Sequence, residues 1–196
     1  EGQPLSISLY KSLDEDSSMV HFKLFNPGVE LPLSDIMPIF ENFGFRVIGE
    51  HPFEIVDTEG LAVWIHDFSL QSRSGEEVDM PRLRPIFEEL FRRVWRGEGE
   101  NDSFNRLLLS SYLDWRQIAL LRAYARYMQQ IRFSNSQSFI ASSLVNHVKL
   151  TDLILQMFDN RFNPERQQSE AKSQAVQQKL ELEFNAGLEE VENLSE

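Results

Sequence analysis

The sequence predicts an α+β protein: a four-stranded antiparallel sheet with two helices, followed by an all-helical segment. Three observations carry that expectation. Apolar and polar residues alternate at period two in four stretches between residues 5 and 72, the mark of half-buried strands. Helical stripes interrupt those stretches and take over after residue 97. With 196 residues, 41% of them hydrophobic and 11% aromatic, the chain suits one large domain or two small ones. Folding should bury roughly 70% of the unfolded surface.

Leu5, Ile7 and Leu9 alternate with Ser6, Ser8 and Tyr10 in a first strand, and Lys11 to Ser18 forms a connection. Val20, Phe22 and Leu24 alternate with His21, Lys23 and Phe25 in a second strand, stopped by Asn26-Pro27-Gly28. A helix follows, with Ser34 as its cap, Ile36, Ile39, Phe40 and Phe43 as its stripe, Pro38 near its first turn and Gly44 just past its end. Phe45 to Val56 reads as a third strand, with His51-Pro52 at a bend or edge. In a fourth strand, Leu61 to Leu70, Val63, Ile65 and Asp67 face opposite to Trp64, His66 and Phe68. A second helix spans about Pro81 to Arg96 on the stripe Leu83, Ile86, Phe87, Leu90 and Val94, with Asp79 as cap and Gly97 as stop. Pro85 is awkward there, and the regular part of the helix is expected to begin only at that residue. The order ββαββα is that of a permuted ferredoxin-like sheet, in which the N-terminal strand takes the place normally held by the last one.

Gly97-Glu98-Gly99-Glu100 reads as a flexible link into the helical half, and Asp102 to Ser110 as a short helix. Asp114 and Gln117 have capping-box spacing, ahead of one stripe of Ile118, Leu121, Ala125 and Met128 and a second of Leu120, Tyr124, Tyr127 and Ile131. A helix apolar on two sides is expected to be wedged between other elements. Ser136 starts a further helical pattern that continues through Leu150, Ile154 and Phe158 to Phe162. Asn163-Pro164 ends it and opens the next helix. The Gln- and Glu-rich stretch from Glu165 to Glu190 has sparser apolar residues and reads as a lone amphipathic helix, frayed or docked elsewhere. The expected division is 1–97, 98–163 and 164–196.

Nineteen basic against 31 acidic residues leave a net charge of −12. Phosphate neutralisation drives nucleic-acid binding, so that excess argues against a nucleic-acid partner; it also disfavours an anionic membrane surface. No apolar run approaches the roughly 20 residues of a membrane span. The absence of Cys removes disulfides, thiolate metal sites and Cys nucleophiles from consideration. The N-terminus lacks an export signal, and a chain opening at Glu1 reads as cut from something longer. A cytoplasmic protein is expected.

Candidate chemistry is thin. His66 and Asp67 are neighbours on one strand, so their side chains point to opposite faces and cannot share a metal; His21 and His51 belong to different strands and His147 to a helix end. Gly97-x-Gly99 resembles the start of a dinucleotide fingerprint, but follows a helix among carboxylates that would repel a pyrophosphate. Adjacent carboxylates such as Glu88-Glu89 and Glu189-Glu190 read as solvated faces. Arg122 and Arg126, one turn apart beside Arg116, have the spacing to grip a carboxylate or phosphate, with intrachain pairing favoured. Trp115, Tyr124 and Tyr127 read as packing rather than a ligand box. No residue is assigned a catalytic, cofactor-binding or metal role.

Several runs resemble the very long bacterial NAD-specific glutamate dehydrogenases. They are LPLSDIMPIFENFGFRVIGEHPFEI (Leu31 to Ile55), AVWIHDFSL (Ala62 to Leu70), WRGEGENDSFNRLLL (Trp95 to Leu109), YLDWRQIALLRAYARYMQQ (Tyr112 to Gln130) and FDNRFNP (Phe158 to Pro164). The resemblance implies a fragment: the last ACT-like module plus the helical segment before the catalytic domain, with Val191 to Glu196 at that domain's threshold. It implies that the parent oxidises L-glutamate with NAD, through catalytic and cofactor groups beyond residue 196. It also implies a noncatalytic regulatory or assembly role, with the catalytic domain, other modules of the same chain and further subunits of a homo-oligomer as partners. Two alternatives stand beside it: an amino-acid-sensing ACT-type module with an amino-acid effector, and an acidic helical interaction scaffold.

Overall fold

A computed structural model describes residues 5–12, 16–56, 58, 60–166 and 169–191. Residues 13–15 of the first connection, 167–168 of the C-terminal stretch and 192–196 of the expected domain threshold lie outside the described residues.

The strands are β1 (Ser6–Tyr10), β2 (Met19–Pro27), β3 (Phe45–Val56) and β4 (Ala62–Ser72), with α1 (Leu33–Asn42) after β2 and α2 (Met80–Trp95) after β4. They form one antiparallel sheet in the order β1-β2-β4-β3. A ferredoxin-like sheet cut before its last strand, with that strand moved to the front, has this same order. The fold expectation is therefore met, permutation included.

Period-two alternation sorts the sheet into two faces. Ile7, Leu9, Val20, Phe22, Leu24, Phe45, Phe68 and Leu70 are buried on the inner one, beneath Ile36, Ile39 and Phe40 of α1 and Leu83, Phe87, Leu90 and Phe91 of α2. Aromatic rings dominate this core. Phe87 lies 5.4 Å from Phe22, 5.3 Å from Phe43 and 5.8 Å from Phe45 between ring centres, and Phe40 lies 5.2 Å from Phe22 and 5.0 Å from Phe68.

Local chemistry sets the helix ends, not always as expected. Pro32, not Ser34, occupies the cap position of α1, and the Ser34 hydroxyl donates to Asp35 within the first turn. Gly44 takes φ +94° at the end of α1, its N–H donating to Glu41 O, and its own carbonyl receives the Arg73 N–H. The Asp79 carboxylate accepts from Arg82 N–H at 3.2 Å, and α2 is regular from Met80 rather than from Pro85. Pro81 sits in the first turn, where N–H groups have no helical partner, so only the single bond at Pro85 is lost. In β3 a bulge between Val47 and Gly49 leaves Ile48 unpaired and 53% exposed.

After α2 the chain is tied down rather than flexible. Gly97 takes φ +71°, Glu98 and Gly99 both donate their N–H to Arg93 O, and Asn105 Nδ2 donates to Glu100 O at 2.7 Å. A 3-10 turn (Ser103–Arg106), capped by Asp102, leads into α3 (Leu107–Ser110). Helix α4 (Trp115–Gln130) begins with the predicted capping box: Gln117 N–H donates to Asp114 Oδ1 at 2.9 Å and Asp114 N–H to Gln117 Oε1 at 3.0 Å.

The chain divides into two compact units, residues 1–118 and 119–196, with the break inside α4. In the second unit α5 (Gln137–Asn146), α6 (Val148–Phe162) and α7 (Glu170–Glu189) follow. Ser136 caps α5 as expected, its Oγ accepting from Phe139 N–H. His147 lies at a helix end as expected, between α5 and α6, and the Thr151 hydroxyl, donating to Leu144 O at 2.8 Å, fastens the corner. Asn163 ends α6 but does not open α7; its Oδ1 accepts from Glu165 N–H in a local turn, and Ser169 stands at the α7 cap. Helix α7 is docked on α6: Asn160 Nδ2 donates to Ser173 O and Gln177 Oε1, and Leu180 is buried.

Candidate functional site

The outer face of the sheet is the part of the first unit that its own helices leave half-exposed or exposed. Strand register builds it in rows. Tyr10, His21 and Ser69 form one row; Ser8, Lys23, Asp67 and His51 the next; Phe25, Ile65 and Phe53 a third; and Pro27, Val63 and Ile55 a fourth. The surface is thus polar toward one end of the sheet and apolar toward the β3–β4 hairpin, where Phe53 and Ile55 are 53% and 54% exposed.

The polar half is a connected cluster. Tyr10 OH donates to Asp67, 3.0 Å from each carboxylate oxygen. Lys23 Nζ lies 3.5 Å from Asp67 Oδ2 and 4.9 Å from the centre of the Tyr10 ring. His21 stacks on that ring at 5.1 Å, with Nδ1 3.5 Å from Ser69 Oγ. Partial burial, then the hydrogen bond to Asp67, raises the Tyr10 hydroxyl above its ordinary value of 10.0. The negative charge of Asp67 raises Lys23 above 10.5. Both groups hold their protons more tightly folded than unfolded. Their contribution to stability is therefore complete below about pH 10 and lost as pH rises through the folded values. Denaturant midpoints measured from about pH 9 to 12 should fall, and fall less steeply in Tyr10→Phe; identical slopes would remove the cluster from the account.

The histidine expectation is met where it was specific. His66 is 1% exposed on the inner face, its Nδ1 2.8 Å from Glu50 Oε1. Leu31 N–H points at its Nε2 from 3.5 Å, so the proton sits on Nδ1 and is donated to Glu50. Asp67 faces the other way. Among the described residues no group of three or more His, Asp or Glu is placed to hold a metal ion.

The remaining candidates scatter. Glu88 binds Arg92 at 3.0 Å and also accepts the Leu9 N–H on edge strand β1, so it is no plain solvated carboxylate. Glu89 binds Arg93 at 2.7 Å. Trp115 packs between the guanidinium of Arg93, 3.7 Å above its ring, and that of Arg116 at 4.8 Å. Arg122 is buried, and both Arg122 and Arg126 are engaged by other groups. Leu121 and Ala125 of the first α4 stripe are buried, but Tyr124, Tyr127 and Ile131 of the second stripe are 46%, 58% and 63% exposed. Among the described residues the second stripe is thus not wedged, and Tyr124 meets the edge of Phe158 at 6.1 Å between ring centres. Sequence reasoning put Val63, Ile65 and Asp67 on one side of the fourth strand but did not assemble the rows across strands. Their polar and apolar members were visible as alternate strand positions, but only register brings residues 25, 53 and 65 together.

Fold and surface define an ACT-type module joined to a helical segment. A family model described as "Glutamate dehydrogenase, ACT3 domain" matches residues 4–83, and one described as "Glutamate dehydrogenase, helical motif 3" matches residues 99–164. The chain is 44% identical over 180 residues to the NAD-specific glutamate dehydrogenase of Halomonas elongata, covering 92% of this chain and 11% of that protein. It is 40% identical over its whole length to the enzyme of the same name from Pseudomonas aeruginosa, covering 12% of it. To that of Mycobacterium tuberculosis it is 30% identical over 164 residues, 81% of this chain and 10% of the relative. The chain belongs to the NAD-specific glutamate dehydrogenase family, as a segment spanning about a ninth of those relatives' length.

Proposed function

We propose that this chain is a noncatalytic regulatory and assembly segment of an NAD-dependent glutamate dehydrogenase, and that its outer sheet face receives another module of the same protein. The parent enzyme converts L-glutamate, NAD and water to 2-oxoglutarate, ammonium and NADH in the cytoplasm of a bacterial cell. The observation that carries the reading is the exposed apolar half of the sheet, rows Phe25-Ile65-Phe53 and Val63-Ile55, in a chain whose relatives are about eight times longer. An apolar surface beside a polar rim is what an intramolecular or subunit interface requires.

In this reading residues 1–97, 98–163 and 164–196 act as ACT-like module, helical segment and connection toward the catalytic domain. The assembly is a homo-oligomer, and NAD binds outside this chain. No catalytic, cofactor-binding or metal role falls to its residues. Incubating the chain with glutamate and NAD should give no NADH above blank. Turnover by these 196 residues alone would overturn the proposal.

A further inference from the structure

We propose that the end of the sheet opposite the β3–β4 hairpin carries a binding site for a phosphoryl group, formed by Arg46, Arg73, Ser72 and Ser74. These side chains, with Gln71 and Gly75, line a recess of about 540 Å³. In a chain with twelve more acids than bases (31 against 19), none of the six residues lining it is acidic. The guanidinium of Arg46 makes no ion pair or hydrogen bond among the described residues, although strand pairing with Gln71 fixes its backbone. Arg73 is already oriented: its N–H donates to Gly44 O, and its Nε donates to Phe45 O at 3.2 Å. That leaves both terminal nitrogens of Arg73 to face a ligand as a planar fork, the geometry that matches a phosphoryl or carboxylate group.

The serines add a donor. Ser72 Oγ and Ser74 Oγ lie 2.9 Å apart, and Ser74 Oγ accepts from Glu76 N–H at 3.3 Å. One of the two hydroxyl hydrogens is spent in their mutual bond, so one remains to donate. Two cations on one recess repel each other, and a bound dianion removes that repulsion. A phosphoryl group, with three acceptor oxygens and nearly two negative charges at neutral pH, uses all of these donors; a carboxylate, with two oxygens and one charge, does not. The recess exceeds the needs of inorganic phosphate and has room for a small phosphorylated molecule. The inference is independent of the assembly role, since it concerns the other end of the sheet.

The test is an NMR titration of the chain at constant ionic strength and pH 7, reading the Arg73 Nε–H and the Ser74 and Gly75 amides. Inorganic phosphate and phenyl phosphate are separate arms, and acetate is the carboxylate control. Saturable shifts are expected in at least one phosphate arm, the tighter arm identifying free phosphate or a phosphorylated molecule as the source. Arg46→Ala and Arg73→Ala should each weaken binding roughly 10- to 100-fold, the range of a charge-assisted hydrogen bond, and Arg84→Ala should leave it unchanged. Absence of saturation in both phosphate arms, acetate binding as tight as phosphate, or equal weakening in Arg84→Ala would each overturn the site.

Discussion

Phe87→Ala should cost about 3–5 kcal/mol of folding stability. The Phe87 ring lies at the centre of the inner-face core, fully buried, within 6.5 Å of the rings of Phe22, Phe40, Phe43, Phe45 and Phe91. Truncation removes its transfer free energy and leaves a cavity walled by large planar side chains. Such rings cannot collapse into the space without leaving their rotamers. Each edge-to-face pair lost adds to the cost, in a range of about 0.5–1.5 kcal/mol before non-additivity is counted. A typical domain has only about 5–15 kcal/mol in total, so the denaturant midpoint should drop by about a fifth or more with the slope unchanged. A loss below about 1 kcal/mol would show that the two helices do not cover this face of the sheet.

The second large effect is expected in the parent enzyme. Phe53→Lys combined with Ile55→Lys places two cations in the most exposed apolar rows of the outer face. In the isolated chain both positions are more than half exposed, and the change should stay within about 1 kcal/mol of folding stability. If another module covers these rows in the parent, each lysine meets an apolar surface, and each central contact is worth about 2–4 kcal/mol. Association of the parts should then weaken by roughly 30-fold or more per substitution. Native mass measurement of the parent reads this where the covering module lies in another subunit, and limited proteolysis of the parent reads it where the module lies in the same chain. A parent that assembles and turns over normally with both lysines would place the interface elsewhere.

Elements were legible in the sequence wherever one segment carries its own signal. Alternation gave four strands, and their order required β1 to sit beside β2, which is where the sheet places it. The Asp114–Gln117 box and the Asp79 cap were readable because a cap and its partner lie three residues apart. The misreadings came where a local signal was outweighed by its surroundings. Pro85 was overweighted, since one missing hydrogen bond does not undo a helix already started by Asp79 and Pro81. A helix end at His147 was legible, although Val148, Leu150 and Leu153 continue the apolar pattern past it. Gly97 to Glu100 has a linker's composition, yet the single carbonyl of Arg93 gathers two of its N–H groups.

The candidate surface was less legible than the fold. That His66 and Asp67 cannot act together follows from strand geometry alone, and the structure gives them Glu50 and Tyr10 as separate partners. Nothing local joins Phe25 to Phe53 or Arg46 to Arg73. Those neighbours arise from pairing across strands far apart in the chain, which depends on register and, in β3, on the bulge at Ile48.

Thiol labelling reads coverage of the outer face most directly. The chain contains no native cysteine, so Phe53→Cys and Ile55→Cys each introduce a single reporter in it. Both should react rapidly with a water-soluble maleimide in the isolated chain and be protected in the assembled parent enzyme. Equal reactivity in the two would mean that this face serves no neighbouring module.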